Sequence, residues 1–158
     1  MLMARLSYSE AIEVLYSKNV FHFYDPGDIR YFSRAVLPHR LNIVQSIIMD
    51  WERTFSIFNP YNAIPKQDNE EWKAWRDTWA IIAKMEGLRE IRVILKEHKF
   101  VVSRIRRMKM CQPMMGIKGL KVFEVIVPPV ADSRWAFVRS DAPFKIVEAS
   151  RQAQTLPC

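Results

Sequence analysis

The feature that most constrains the fold is one hydrophobic phrase that occurs three times along the chain. It has the form L-x-x-h-x-h-x-h, in which the h positions are mainly apolar, and its copies begin at Leu41, Leu88 and Leu120. Side chains alternate between the two faces of a strand, so the h positions of each copy are expected on one face. A stretch with helical periodicity precedes each copy. This layout predicts an α/β fold with a short leucine-rich-repeat-like sheet of about four mainly parallel strands and helices on one face.

The remaining patterns place these elements within a single domain, 1–158. Ser7 and Glu10 form a capping-box pattern before an amphipathic stripe, and Asp25 with Pro26 is typical of a second helix start. The repeat-like core covers about 7–127, and the irregular segment 128–158 is a candidate cover for the other face of the sheet. Strands are predicted near 20–24, 43–50, 90–95 and 122–127, helices over 26–37, 70–86 and 103–118, and a long loop over 54–69.

Composition narrows the class of protein and its compartment. The apolar fraction of 49% excludes a mainly disordered chain. No apolar run is long enough to span a membrane, and Glu10 and Glu13 interrupt the place of a signal-peptide core. Cys111 and Cys158 lie too far apart for a disulfide framework or a zinc motif. These features predict an intracellular protein, cytoplasmic or nuclear and not secreted, that uses no metal and no cofactor.

Several segments carry a family resemblance. The stretch from Tyr8 to Phe23, reading YSEAIEVLYSKNVFHF, is similar to a phrase common in uncharacterised filamentous-fungal proteins, and so are the stretches 31–51 and 79–88. The resemblance covers roughly residues 7–127. It implies a fungal source, a domain of unknown function with a leucine-rich-repeat-like sheet and F-box association, and a shortened member in which residues 1–6 replace a longer N-terminal segment. It supplies no catalytic residues.

The repeat also assigns side chains to the sheet face opposite the helices. Its fifth position holds Gln45, Arg92 and Glu124, and its seventh holds Ile47, Ile94 and Ile126. Alignment of the first strand adds His22 to the polar row and Tyr24 to the apolar row. The apolar row is expected to be covered by the C-terminal segment, another chain or a ligand. The candidate binding surface is therefore Tyr24, Gln45, Ile47, Ile94 and Ile126.

Three members of the polar row have chemistry suited to catalysis. His22, Arg92 and Glu124 are candidate groups for acid–base work and for stabilising a carboxylate or an enolate. An arginine–glutamate pair across strands is also a common structural contact. The sequence leaves both interpretations open.

Positive charge is concentrated in one segment. From Lys96 to Lys121 there are eight basic residues and one acidic residue, and 8 − 1 = +7 equals the formal net charge of the chain. This segment could bind phosphate groups or an acidic partner, or form a solvated helix face. It contains no known nucleic-acid motif, and the chain has no phosphate-binding loop or hydrolase signature. The candidate basic patch is Arg104, Arg106, Arg107 and Lys109.

Together these patterns favour a protein-interaction module that binds a protein partner or a second copy of itself. The alternative is a small cofactor-independent enzyme of isomerase, cyclase or hydrolase type that acts on an apolar metabolite in fungal secondary metabolism. Nucleic-acid binding through the segment 96–121 ranks third. No membrane association is expected.

Overall fold

Five parallel strands form one sheet in the order β1-β2-β3-β4-β5. The computed structural model describes residues 2–51, 70–95, 104–127, 138 and 141–149. The strands are β1 Val20–Phe23, β2 Ser46–Trp51, β3 Glu90–Leu95, β4 Val122–Val127 and β5 Lys145–Glu148. The predicted α/β class and parallel sheet are confirmed. The fifth strand lies in the predicted irregular segment 128–158, which is a correction, while 128–137, 139–140 and 150–158 fall outside the described residues.

The helices connect these strands on one side of the sheet. They are α1 Leu2–Lys18, α2 Pro26–Ala35, α3 Pro38–Leu41, α4 Glu70–Ile82 and α5 Arg104–Cys111, which continues into a 3₁₀ helix at Gln112–Gly116. Crossovers between neighbouring parallel strands are right-handed, so strands that pair in chain order place all their connecting helices on the same face. In the described part of the chain, no helix is long and apolar enough to span a membrane. The predicted loop 54–69 lies outside the described residues.

The core lies between the helices and the inner face of the sheet. Alternate residues of β3 and β4 are buried there, and α4 contributes Trp75 and Trp79, which are fully buried. The indole Nε1 of Trp75 donates a hydrogen bond to the carbonyl oxygen of Met110 at 3.1 Å, which ties α4 to α5. The two tryptophans are four residues apart and therefore lie on one face of α4, which is the face that packs in the core.

The start of β2 differs from the predicted register. Ile47 pairs with Ile91, which pairs with Phe123, so the first copy of the phrase begins at Val44 and not at Leu41. The short helix α3 and the turn after it delay the strand, because the amide of Val44 still donates to the carbonyl of Leu41. The shift is three residues, an odd number, so every side chain of β2 moves to the face opposite the predicted one.

Helix α1 also departs from the prediction at its start. The helix begins at Leu2, so Ser7 lies inside it and is not its N-cap. Only Ile12 and Tyr16 of the apolar stripe are half-buried, and the Tyr16 ring stacks on Phe21 with centroids 5.7 Å apart. The remainder of the stripe, which consists of Tyr8, Ala11 and Leu15, is exposed. The sequence therefore predicted the helix correctly and its N-terminal boundary wrongly.

Helix α2 begins as its sequence predicts. An Asp25 carboxylate oxygen accepts a hydrogen bond from the amide of Gly27 at 2.7 Å, and Asp28 Oδ2 accepts from the amide of Asp25 at 3.1 Å. Pro26 occupies the first turn, where its lack of an amide proton costs nothing. This reciprocal cap fixes the direction in which α2 leaves β1 and crosses the sheet toward β2.

Candidate functional site

The sheet face that points away from the helices is here named the open face. Its side chains alternate with the buried ones of the inner face, and none of the described helices lies over it. Its members are half-buried or exposed, except for the buried Asp50. The open face consists of Val20, His22, Ser46, Ile48, Asp50, Glu90, Arg92, Ile94, Val122, Glu124, Ile126, Lys145 and Val147.

One row of the open face crosses all five strands. The strand pairing sets the side chains of neighbouring strands level with one another, and the row reads His22, Ile48, Arg92, Glu124, Lys145. The prediction that His22, Arg92 and Glu124 share a row is confirmed. Gln45 was predicted in the same row, but it lies before β2 with its side chain exposed, and Ile48 takes its place.

Arg92 is the centre of an ion-pair cluster in this row. Its Nε lies 3.1 Å from Glu124 Oε2 on β4, and its Nη1 lies 3.4 Å from Glu90 Oε2 on its own strand. All three side chains are between 32% and 38% exposed. Two carboxylates around one guanidinium leave a net negative charge, and Lys145 lies level with Glu124 on β5. The cluster is therefore partly solvated, and its ion pairs are accessible from the open face.

His22 stands apart from this cluster. Its ring stacks on that of Tyr24 with centroids 4.3 Å apart and an interplanar angle of 30°, and both side chains are exposed. His22 and Arg92 are separated by β2, so their backbones lie about 10 Å apart at the usual strand spacing. The structure brings Arg92 and Glu124 together, whereas His22 forms an exposed aromatic pair at the β1 edge.

The predicted apolar row is only partly present. Ile94 and Ile126 pair across β3 and β4 on the open face, where both are half-buried. Ile47 was predicted beside them, but it is 2% exposed and packs in the core on the helix side, because the register of β2 is shifted. The shift places Asp50 level with Ile94, so a buried carboxyl occupies the position predicted for an isoleucine.

The structure describes the side chains of two of the four residues in the candidate basic patch, Arg107 and Lys109. Arg107 is 5% exposed and has an interaction partner, so its guanidinium is not free to bind a phosphate in solvent. Lys109 is exposed on α5. Arg104 and Arg106 belong to the same helix, and their side chains lie outside the described residues. The described part of α5 thus presents one solvated cation where the sequence predicted a patch of four.

A polar cleft at the amino ends of β3 and β4 was not predicted from the sequence. It has a volume of about 190 Å³ and lies between the turn before β3 and the turn before β4. Glu86, Arg89 and Lys118 line it together with the backbone of Gly116 and Gly119. Nothing in the local sequence signals the cleft, because it forms where two turns distant along the chain meet. Its mixed charges specify no ligand class.

The described residues support neither metal binding nor catalysis by a cysteine thiol. Among them, no group of three or more histidine, cysteine, aspartate or glutamate side chains could hold a metal ion. Burial raises the pKa of the Cys111 thiol to about 12, so the thiol stays protonated and unreactive at neutral pH.

The energetic coupling between Arg92 and Glu124 can be predicted from their exposure. A half-exposed cross-strand ion pair contributes about 0.5–1 kcal/mol, so a double-mutant cycle with Arg92→Ala and Glu124→Ala should give a coupling in that range. The coupling should largely vanish in about 1 M salt, where the screening length is about 3 Å. Denaturant unfolding of the native chain, the two single variants and the double variant measures the coupling energy. A coupling above about 2 kcal/mol that salt does not change would contradict this assignment.

The open face and the core belong to a domain that recurs in other proteins. A family model described as "Domain of unknown function (DUF7730)" matches residues 1–146, so the chain belongs to this family. No curated protein and no solved structure matches the sequence. The predicted resemblance to an uncharacterised family is therefore confirmed.

Proposed function

We propose that this DUF7730 domain is a protein-interaction module and that the open face is its binding surface. The observation that carries the proposal is the ordered row of alternating charge on a sheet face that no described helix covers. Arginine and aromatic side chains are enriched where proteins bind one another. Arg92 and the His22–Tyr24 pair supply both, and they are accessible at the same time.

The neighbouring row supplies the apolar part of such a surface. Ile94 and Ile126 lie next to each other, two residues along the strands from the Arg92–Glu124 pair and on the same face, and Val147 extends the row to β5. An interface usually combines an apolar centre with a polar rim that sets the partner's orientation. A partner segment that lies across the strands would cover the isoleucines and exchange ion pairs with Arg92 and Glu124. This places the partner in contact with β3, β4 and β5.

A leucine-rich-repeat-like sheet remains part of the proposal. It is supported by strands that pair in chain order and by the hydrophobic phrase, which recurs at Val44, Leu88 and Leu120. The repeat lengths of 88 − 44 = 44 and 120 − 88 = 32 residues exceed the roughly 20–29 residues of that repeat class. A fungal source, F-box association and a cytoplasmic or nuclear compartment are expectations that come with the resemblance and the composition.

One observation favours the enzyme alternative. Asp50 is a buried carboxyl near the carboxyl end of β2, and open α/β sheets bind their ligands at the carboxyl ends of the strands. A cofactor-independent enzyme acting on an apolar metabolite could use it with Ile94 beside it. The separation of His22 from Arg92 weighs against a joint catalytic role for His22, Arg92 and Glu124. Nucleic-acid binding ranks last, since Arg107 is buried.

The interaction proposal is tested by two matched charge swaps. Arg92→Glu with Glu124→Arg keeps an attractive pair between β3 and β4 but reverses its two charges, next to the unchanged Glu90 and Lys145. The control, Arg30→Glu with Asp77→Arg, does the same for the pair between α2 and α4, whose atoms lie 4.0 Å apart in the helix layer. Affinity capture from a lysate of the source organism, with quantitative mass spectrometry, compares both variants with the native chain. The captured partner is then purified and its binding measured directly.

We expect the open-face swap to lose at least one protein that the native chain and the control retain, with a drop in affinity of about tenfold or more for the purified pair. Equal unfolding midpoints for the two swapped variants would show that the loss is not caused by misfolding. If both variants bind the same proteins with the same affinity as the native chain, the open face is not the binding surface.

A further inference from the structure

The N-terminal end of the domain carries two features that are unpartnered in the described structure and lie side by side. The first is the outer edge of β1, since this strand pairs only with β2. The second is the exposed apolar stripe of α1, formed by Tyr8, Ala11, Val14 and Leu15. A single residue, Asn19, separates the helix from the strand, and its Nδ2 donates a hydrogen bond to the carbonyl of Leu15 at 2.8 Å. The helix and the strand therefore form one fixed surface, here named the α1–β1 edge.

The two ends of the sheet differ in how they protect their edges. Edge strands usually carry charged side chains that prevent pairing with another chain. β5 carries Lys145 and Glu148, both exposed, at its two ends. β1 has the sequence Val-Phe-His-Phe, with no lysine, no acidic residue and no proline. Val20 is 54% exposed at the start of this strand. The β1 edge thus lacks the protection that the opposite edge of the same sheet has.

The exposed stripe of α1 is not accounted for by packing within the described chain. Tyr8, Ala11 and Leu15 follow the i, i+3, i+7 spacing of one helix face, whereas on the adjacent face Ile12 is half-buried and Tyr16 packs against the core. Contiguous apolar surface of this kind marks an interaction site. α1 leads directly into the edge strand β1 and contacts α3, so the exposed stripe belongs to the β1 end of the domain.

We propose that a second copy of this chain binds the α1–β1 edge and forms a two-fold symmetric dimer. A two-fold axis perpendicular to the sheet would set β1 antiparallel to β1 of the other copy and join the two sheets into one of ten strands, five from each copy. The same rotation would bring the two α1 stripes together, since both helices lie on the same side of the joined sheet. One operation covers both features, whereas an added peptide strand would cover only the β1 edge.

The size of the surface fixes the strength expected of the dimer. The stripe from Tyr8 to Leu15 covers about 12 Å of α1 and is about 10 Å wide. The four residues of β1 add about 13 Å of strand edge. The combined footprint is roughly 250 Å² per copy, about a third of the ~800 Å² that each partner of a standard interface buries. We therefore expect a weak dimer that dissociates in the micromolar range or above.

Charge provides a second expectation. β1 contains no charged side chain, but Lys18 is exposed in the last turn of α1, on the same helix face as Val14 and Leu15. Lys18 and its copy would repel each other, and so would the formal net charges of +7 on the two chains. Added salt screens this repulsion, so the dimer should become tighter as salt rises. Association that depends on ion pairs of the open face would show the opposite response.

Sedimentation velocity of the 158-residue chain, over low to several hundred micromolar concentration, tests the proposal. Leu15→Lys in the stripe and Val20→Lys in β1 should each raise the dimer dissociation constant by about tenfold or more. Matched controls exist outside the open face: Met108 on α5 is 50% exposed like Leu15, and Met115 in the 3₁₀ helix is 38% exposed. Met108→Lys and Met115→Lys should leave the constant unchanged.

Circular dichroism melts establish that each variant is folded, and Leu15→Lys alone carries the test if the β1 variant unfolds. A native chain that stays monomeric at every concentration overturns the proposal. So does association that the two controls weaken as much as the α1 and β1 variants do. Leu15 lies outside the open face, whereas Val20 belongs to it, so Leu15→Lys separates this proposal from the proposed function: it should weaken the dimer and leave binding of the open-face partner unchanged.

Discussion

Gly87→Ala is expected to destabilise the protein by roughly 3 kcal/mol, and Gly87→Val by more. A β-carbon at position 87 would lie 1.9 Å from the carbonyl oxygen of Asn42 and 2.9 Å from its carbonyl carbon. Both atoms belong to the backbone, so no side chain can move aside to make room. The turn before β3 must therefore separate from the turn before β2.

This separation would break the contact that starts the sheet. The carbonyl oxygen of Gln45 accepts hydrogen bonds from the amides of Arg89 and Glu90 at 2.9 and 3.0 Å, next to the close approach of Gly87 to Asn42. The carbonyl of Arg89 in turn accepts from the amides of Lys121 and Val122 at 2.8 and 3.1 Å. Displacement of the turn at Gly87 thus disturbs the pairing of β3 with both of its neighbours.

Two other glycines provide controls for the Gly87 variants. No atom lies within 4 Å of a β-carbon built at Gly116, so Gly116→Ala should change the free energy of unfolding by no more than about 0.5 kcal/mol. Gly119 has the same open space but a φ of +80°, so Gly119→Ala should cost about 1–2 kcal/mol through backbone strain alone. Urea unfolding followed by circular dichroism measures all three. Equal losses for Gly87→Ala and Gly116→Ala would show that the two turns are not in the contact described.

The second and third copies of the hydrophobic phrase predicted their strands well. In each copy the phrase can begin at one residue only, here called its frame, because Leu88 and Leu120 are each followed by three alternating apolar residues. Such a pattern places one face in the core and leaves no competing register. The pairing of Arg92 with Glu124 follows from these two copies, and it was therefore available from the sequence.

The first copy was ambiguous for a physical reason. Leu41 and Val44 are three residues apart, so either can begin the phrase at the required spacing. The frame from Leu41 places Ser46 and Ile48 at core positions, whereas the frame from Val44 places Ile47 and Met49 there. Burial of a large apolar side chain in place of a hydroxyl favours the second frame by roughly 2 kcal/mol or more. The serine was the available signal, and the shift accounts for the errors at Gln45 and Ile47.

Two other features depend on tertiary contacts that a sequence pattern does not specify. The strand at 145–148 is short and has charged residues at both ends, so it has no period of its own and forms by pairing with β4. The stripe of α1 identifies residues on one helix face but not whether another element covers it. In the same way, the charge of Arg107 predicts exposure, and only the packing of α5 buries it.

Ile47→Lys is expected to prevent folding, whereas Ile94→Lys should give a folded protein. Ile47 is 2% exposed in the core, so a lysine there would bury an unpaired ammonium group and lose the isoleucine's packing at a combined cost of roughly 4 kcal/mol or more. This cost is a large part of the free energy of unfolding of a typical domain, which is roughly 5–15 kcal/mol. Ile94 is half-buried on the open face, level with Asp50, so its replacement can direct the ammonium group toward solvent.

The frame that begins at Leu41 would place Ile47 and Ile94 in the same row and predict the same result for both variants. The frame in the structure places them on opposite faces of the sheet, so the two variants separate the alternatives. Thermal melts, with the native chain as reference, measure the difference, and alanine variants at the same positions reveal whether charge or volume is responsible. Ile47→Ala should cost about 2–5 kcal/mol and Ile94→Ala less than half of that. Similar losses at the two positions would return Ile47 to the open face and contradict the register of β2.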